Sequence, residues 1–433
     1  MKKITKKIIF HLTFLLLILA LIFPVLQSRY QWFNIRPLYG GFVSEDKPSF
    51  SKLNPDSLLN KGYRERFSRA IEQHLGFRNF LIRMNNQINF SLYGITDNHN
   101  LVIGKDNCIF EEGYILACLG HNFIGKALID ERLRRTLWVQ DYLKKEKNID
   151  LLIVFEPGKG SYHSAYIPDR YIKQGRQMSN YDYYVQRCRE TGIRHVDLNA
   201  WFLAMRDTAS YPLIPRYGVH WGSYGMTLAA DSLVRCIEKI RNADLPDFEY
   251  GQLQVTDQKK DVDFDWDAEQ TLNLMFRLPF DTMAYPELKL IADSSKFRPR
   301  VLTIADSYYW NFYNSGIPQH CFRDHQFWYY YFQVYPHIWD YSHLVSSLPV
   351  KEEIEKQDVI LVMITEMNLY RAFWQFTDDL YKWYCPDYRE DPLYDRMNQS
   401  CGQDHWLRDH IRIARRYGIS TEEALYTHAL MMR

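Results

Sequence analysis

The chain has almost no net charge: 53 Lys and Arg against 52 Asp and Glu leave a formal +1. It also lacks a basic stripe with interleaved aromatics. Without a long-range field to gather an anionic polymer, nucleic acid is set aside as a partner. Its seven cysteines (Cys108, Cys118, Cys188, Cys236, Cys321, Cys385 and Cys401) include no CxxC pair and no histidine at metal-ligand spacing. That pattern argues against a zinc site, and no metal is expected. Most of these cysteines read as small buried hydrophobes. Their odd number would allow some disulfides outside the cytoplasm, with a pairing that one sequence does not give. No internal repeat is visible. What is present is the composition of a globular protein, 433 residues with 46% hydrophobic and 24% charged, which argues against disorder. Aromatic content of 16% suits a Tyr-rich core and rim, or a surface that stacks on sugar-like ligands.

One apolar run is long. Lys2, Lys3, Lys6 and Lys7 precede IIFHLTFLLLILALIFPVLQ, interrupted only by His11 and Thr13. This is about the ~20 residues a helix needs to cross a bilayer core. Lysines before the span and none directly after it place the amino terminus in the cytoplasm and the rest of the chain outside. A cleaved signal peptide is the rival reading. The run is longer than the usual apolar region of such peptides, and VLQSRYQWF has no small-x-small cleavage pattern. An uncleaved single-pass anchor is therefore expected.

Residues 1–28 are read as cytoplasmic lysines and anchor, and 29–60, with scattered Pro and Gly, as a linker. Residues 61–380 are read as one α/β domain and 381–433 as a helical extension. In residues 61–93, spaced apolar residues (Phe67, Ile71, Leu75, Phe80, Ile82, Ile88) predict amphipathic helix broken near Gly76. Short apolar runs then alternate with helical patterns: LLIVF, IRHVDL, VLTIAD and DVILVMIT. Such runs imply a mostly parallel, doubly wound sheet covered on both faces. In these sheets reactive groups sit just past the carboxyl ends of strands, which singles out Glu156, Asn199, Ser307 and Glu366. In the tail, Ser420 with Glu423 three residues on predicts a capping box.

Ser307 follows VLTIAD in a strand-to-helix turn, where a hydroxyl can be presented beside a free backbone N–H. A serine needs a base, and His220 in YGVHWGSYG is the leading candidate. Their chain neighbours Trp221 and Tyr308, together with Lys159, are candidates for substrate contact or charge stabilisation. The aromatic run HQFWYYYFQVYPHIW offers stacking surface or strand packing.

Several segments, in order, resemble the alginate O-acetyltransferase accessory family, whose catalytic domains are SGNH-hydrolase-like. They are HLGFRNFLIRMNNQINFSLYG, GKDNCIFEEGY, FEPGKGSYHSAYIP, VHWGSYGMTLAA and ADSYYWNF, spread over residues 60 to 370. The resemblance implies an SGNH-hydrolase-like, flavodoxin-like sheet. It further implies O-acetyl transfer to a polysaccharide at the periplasmic side of a bacterial inner membrane, and a membrane-bound O-acyltransferase partner. Carried over, Ser307 would receive the acetyl group and His220 would be general base and acid, with no cofactor needed. Lys159 would match the family's lysine after proline, and Arg78 lies in the resembling GFRN segment, where an ion pair is expected. The third member does not carry over: where the family has aspartate two residues before the histidine, this chain has Gly218, and Ala305 replaces the glycine that opens the serine block. Three readings stay open. Another acid at a strand end, Glu156, Asp306 or Glu366, orients His220; the pair works as a slow dyad; or the domain is a non-catalytic relative serving as a polysaccharide-binding or assembly protein.

Overall fold

The structure is a computed structural model that describes residues 2–40, 55–259, 264–336 and 343–432. The chain divides into two compact units.

The first unit comprises Met1–His99 with Glu269–Pro279. It opens with helix α1 (Lys2–Tyr30), whose stretch Lys7–Tyr30 is long and apolar enough to cross a membrane. Helices α2 (Lys61–His74) and α3 (Arg78–Ile88) follow, and a π-helical turn, Asn89–Tyr93, continues α3. Asn60 caps α2 by accepting from the Tyr63 N–H. The break falls at Leu75–Phe77, with Phe77 in the left-handed region at φ 64°. Much of the expected linker, residues 41–54, lies outside the described residues.

The second unit, Asn100–Ala268 with Phe280–Arg433, holds the main sheet. Residues 61–99, grouped with this domain on sequence, fall in the first unit instead. Among the described residues, six strands build the sheet: β1 (Asp150–Glu156), β2 (His195–Asp197), β3 (Arg300–Ala305), β4 (Arg323–Tyr329), β5 (Gln333–Tyr335) and β6 (Val359–Thr365). Their order is β2-β1-β6-β3-β4-β5, parallel throughout except for β5, which runs antiparallel at the edge. All seven residues of β1 and all seven of β6 are buried, as expected of continuous apolar strands covered on both faces. Register pairs Thr365 with Glu156 and Met363 with Ala305, so three carboxyl ends lie close to one line. The fold is the α/β, mostly parallel SGNH-type architecture read from the sequence.

Helix α4 (Lys126–Lys147) and α5 (Asn180–Thr191) bury Leu128, Ile129, Leu133, Leu143, Tyr184 and Cys188 in the main core. Helix α6 (Ser223–Arg241) follows the loop that carries His220. The tail forms α7 (Phe376–Tyr384), α8 (Pro392–Gly402), α9 (Asp404–Tyr417) and α10 (Thr421–Met431). These helices are integral to the unit: Cys401, Leu407 and Leu425 join the core, and fully buried Arg132 on α4 donates to Asn398 at 2.8 Å and to the Tyr370 carbonyl at 3.0 Å. The Ser420–Glu423 capping box forms at the start of α10. The aromatic run divides between roles. Phe327 and Trp328 are buried in β4, while Tyr330 and Tyr331 turn the chain at its end with φ of 52° and 55°. The end of the run, residues 337–339, lies outside the described residues.

Candidate active site

Ser307 stands two residues past the end of β3. The chain turns there into a short helix, Tyr309–Asn314, with the Trp310 N–H donating to the Ser307 carbonyl at 3.2 Å. His220 comes from the loop before α6, 87 residues earlier, and its Nε2 lies 2.9 Å from Ser307 Oγ. The two sequence candidates therefore meet at the carboxyl edge of the sheet.

The other ring nitrogen, Nδ1, lies 2.6 Å from Oδ2 of Asp267, a residue the sequence analysis did not single out. Asp267 follows the turn Phe264–Trp266, and its Oδ1 accepts the Val219 N–H at 2.7 Å. A carboxylate on Nδ1 fixes the ring proton there and leaves the Nε2 lone pair facing Ser307. Burial works to lower the His220 pKa, but the charge and hydrogen bond of Asp267, with the charges of Glu111 and Asp306, raise it above its ordinary value.

Gly218 has a steric reason. A Cβ at this position would stand 2.3 Å from the Phe264 carbonyl oxygen and 2.8 Å from the Asp265 carbonyl carbon. No side chain fits where the chain entering Asp267 passes against residue 218, so an aspartate two positions before His220 is incompatible with this packing.

None of the three strand-end acids weighed as partners for His220 hydrogen-bonds to its ring, which meets Asp267 and Ser307 instead. Asp306 Oδ2 accepts from the Thr365 N–H at 3.0 Å, Thr365 Oγ1 at 2.7 Å and Asn368 Nδ2 at 2.8 Å, and its Oδ1 accepts the Tyr308 N–H at 3.1 Å. It braces the serine turn against the end of β6. Glu156 is wholly buried beside Asp306, and burial and that neighbouring charge push its pKa well up. Glu366 accepts from the Ser161 N–H at 3.0 Å and from its hydroxyl, and burial raises its pKa to about 7. Asn199 holds the turn after β1 by accepting the Gly158 N–H at 2.9 Å.

The three substrate-contact candidates are also reassigned, because none faces solvent. Lys159 is completely buried and donates to the carbonyls of Pro215 at 2.8 Å, Arg216 at 2.9 Å and Gly218. Burial lowers its pKa. It is a clamp on the loop that leads to His220. Trp221 Nε1 donates to the Tyr308 carbonyl at 3.1 Å, and the Tyr308 hydroxyl donates to the Val219 carbonyl at 2.8 Å. These two side chains stitch the histidine loop to the serine turn. Arg78, in the first unit, lies 3.7 Å from Glu72, a loose ion pair of the expected kind.

Three further residues stand at or near the site, Tyr330, Arg371 and Glu111, none of them singled out by the sequence as a site residue. The Tyr330 hydroxyl lies against the Ser307 side chain, and the Arg371 guanidinium sits over the Tyr330 ring, 5.6 Å from its centroid. Glu111 feels the charges of His220, Asp267 and Asp306, and burial raises its pKa. With Gly113, Met367, Tyr370 and Arg371 it lines a cavity of about 180 Å³. Among the described residues no group of three His, Cys, Asp or Glu side chains is arranged to hold a metal ion, and all seven cysteines are free thiols.

A serine presented past a parallel strand, with a histidine between it and an acid, has the geometry of a serine-nucleophile triad. Residues 101–270 match the family described as "SGNH hydrolase-like domain, acetyltransferase AlgX", and the chain carries an SGNH domain of this AlgX/AlgJ type. His220 and Asp267 fall inside the matched stretch; Ser307 lies beyond its end. The O-acetyltransferase domain of Pseudomonas putida AlgJ is similar at 15% identity and a TM-score of 0.42, over 65% of this chain and 99% of that one. Pseudomonas aeruginosa AlgX is similar at 14% identity and 0.43, over 67% of this chain and 68% of its own. Bacillus cereus PatB1 is similar at 10% identity and 0.34, over 56% of this chain and 90% of that one. No curated protein matches the chain.

Proposed function

We propose that the protein is a membrane-anchored, extracytoplasmic O-acetyltransferase or acetyl esterase that modifies a polysaccharide through Ser307, His220 and Asp267. The observation that carries this reading is the unbroken chain of short contacts from Ser307 Oγ through the His220 ring to Asp267 Oδ2.

In the proposed reaction Ser307 Oγ attacks the carbonyl carbon of an acetyl donor while its proton passes to His220 Nε2. The carbonyl π pair moves onto oxygen. The Ser307 N–H and the Tyr330 hydroxyl are the candidate donors to that oxyanion. Collapse breaks the bond to the leaving group, which takes the proton from His220, and acetyl-Ser307 remains. A sugar hydroxyl, or water in the esterase case, then attacks the ester, gives its proton to His220, and Ser307 recovers it on release. Asp267 stays ionised and steadies the imidazolium in both halves.

The apolar α1 and the lysines before it support a single-pass anchor with the catalytic unit outside the cytoplasm, in a bacterial inner membrane. A membrane-bound O-acyltransferase is the proposed acetyl source. The rival reading, a non-catalytic glycan-binding relative, rested on the lack of an orienting acid, and Asp267 speaks for catalysis instead. Release of nitrophenol from p-nitrophenyl acetate by the full chain, compared with Ser307→Ala and His220→Ala, tests the proposal. Hydrolysis abolished by both substitutions is expected. A wild type no faster than the two variants would end the enzymatic reading.

A further inference from the structure

Helix α3 is amphipathic the wrong way round for a water-soluble surface. Its polar side is the docked side. Arg83 is buried and donates to the carbonyls of Leu274 at 3.1 Å and Pro37 at 2.6 Å, and Asn86 donates to the Leu272 carbonyl at 2.8 Å. Just past it, Gln87 accepts the Phe276 N–H at 3.1 Å. The opposite side is apolar and open. Phe80, Met84 and Ile88 recur every four residues, so they share one face, and they are 42%, 41% and 45% exposed. Leu81 widens that face, and Leu92, 71% exposed, extends it into the π turn. Exposing this stripe to water leaves the apolar surface unburied, so its presence marks a contact surface.

The same unit says what covers it. The chain enters α3 directly against the end of α1: the Gly76 N–H donates to the Pro24 carbonyl at 3.1 Å, and the Ser28 hydroxyl bonds to the His74 carbonyl. The approach is so close that a Cβ on Gly76 would stand 2.4 Å from the Pro24 oxygen. Around this junction aromatic rings cluster. Phe23 stacks on Phe77 at 5.1 Å and lies 6.2 Å from Phe33, and Tyr30 stacks on Trp32 at 5.3 Å. Tyr and Trp gathered where a span ends are the residues that settle at the headgroup level of a bilayer. The open apolar stripe thus starts where the membrane-crossing stretch stops.

We infer that α3 and the π turn after it lie in the outer face of the membrane that α1 crosses, with Phe80, Met84, Ile88 and Leu92 seated among the lipid chains at the headgroup boundary. The inference rests on the membrane reading of α1 given above. It makes the first unit a two-point attachment, one helix through the bilayer and one along it, rather than a single tether. The occupant is lipid because the stripe continues from the span itself. A helix of this kind seats its apolar face at the headgroup–acyl boundary.

The test uses the full chain in nanodiscs of phosphatidylethanolamine and phosphatidylglycerol, with p-benzoylphenylalanine in place of Phe80, Ile88, Phe14 or, as a solvated control, Lys145. After irradiation, intact mass reports lipid adducts. Adducts at positions 80, 88 and 14 but not at 145 are expected. Adducts at 14 alone would overturn the inference and leave the anchor standing. Cross-links from 80 or 88 to a second copy of the chain would replace lipid with protein as the occupant and also overturn it. No adduct at 14 would remove the anchor reading, and the inference falls with it.

Discussion

Asp267→Asn separates the role of the charge from the role of the shape. Asparagine keeps an oxygen to accept the Val219 N–H, now bonded to Oδ1 at 2.7 Å, so the loop around His220 should hold its place. Its amide NH₂ would then face Nδ1, where Oδ2 sits at 2.6 Å in the native chain. That donor drives the ring into the tautomer with its proton on Nε2, which faces Ser307 and can no longer accept. It also removes the charge that raises the His220 pKa against burial. In the protease triad where this substitution is best documented the loss was about 10⁴-fold. We expect kcat on p-nitrophenyl acetate to fall by about 10³ to 10⁴, or roughly 4–5.5 kcal/mol of transition-state stabilisation. The residual activity should become available at lower pH, since a less raised His220 loses its proton earlier. Thermal stability should change little. An Asp267→Asn enzyme within about threefold of wild type would refute the assignment of this acid, while a large loss accompanied by unfolding would refute the argument that shape is retained.

Two further outcomes test the buried ionisable groups around the site. Lys159→Met leaves the carbonyls of Pro215, Arg216 and Gly218 without their donor. A cost of about 2–4 kcal/mol in denaturant unfolding is expected, with kcat falling more than KM changes, because the loop that aims His220 loosens; unchanged stability would refute the clamp. Glu366 has a folded pKa of about 7 against an ordinary 4.5, so the fold prefers its protonated form. Its stabilising contribution is whole below pH 4.5 and is lost as pH rises through about 7, an effect of about 3 kcal/mol at most. Glu366→Gln, which mimics the protonated acid, should flatten the fall in stability of the native chain between about pH 5 and about pH 8. Parallel curves for the two proteins would refute it.

The sheet was legible because its central strands are buried on both faces, and the near-unbroken apolar runs LLIVF and DVILVMIT, five and eight residues long, have no other use. Strand ends in turn pointed to Ser307, and the histidine followed from chemistry. What stayed hidden had no period to betray it. Asp267 opens a short helix, Asp267–Leu272, directly after the turn Phe264–Trp266, in a stretch that contributes no strand to the main sheet. A rule that looks for acids only at strand ends therefore finds Glu156, Asp306 and Glu366 and passes over it. The reverse error befell Lys159, Trp221 and Tyr308. Trp221 and Tyr308 read as substrate contacts because they adjoin reactive residues, and Lys159 because of the family resemblance, yet all three are spent holding the loops at the site together. The helices of residues 61–93 had a readable apolar period, but periodicity cannot say whether the apolar side faces inward or outward.

The glycine at position 218 and the aspartate at position 267 are best understood as one feature rather than two. An orienting acid must reach the far side of the His220 ring, and only a limited volume lies there. If the acid came from two residues before the histidine, its Cβ would need the space beside residue 218. Here that space is filled by the Phe264 carbonyl and the backbone of Asp265, which lead the chain into Asp267. Either supply excludes the other, so the missing carboxylate and the arriving one imply each other sterically. Restoring the expected pattern with Gly218→Asp should therefore not help a protein that already has Asp267. It would push Phe264 and Asp265 away, and with them the acid that bonds to Nδ1. A departure that by sequence looked like decay of the site is, by packing, the condition for the site to form.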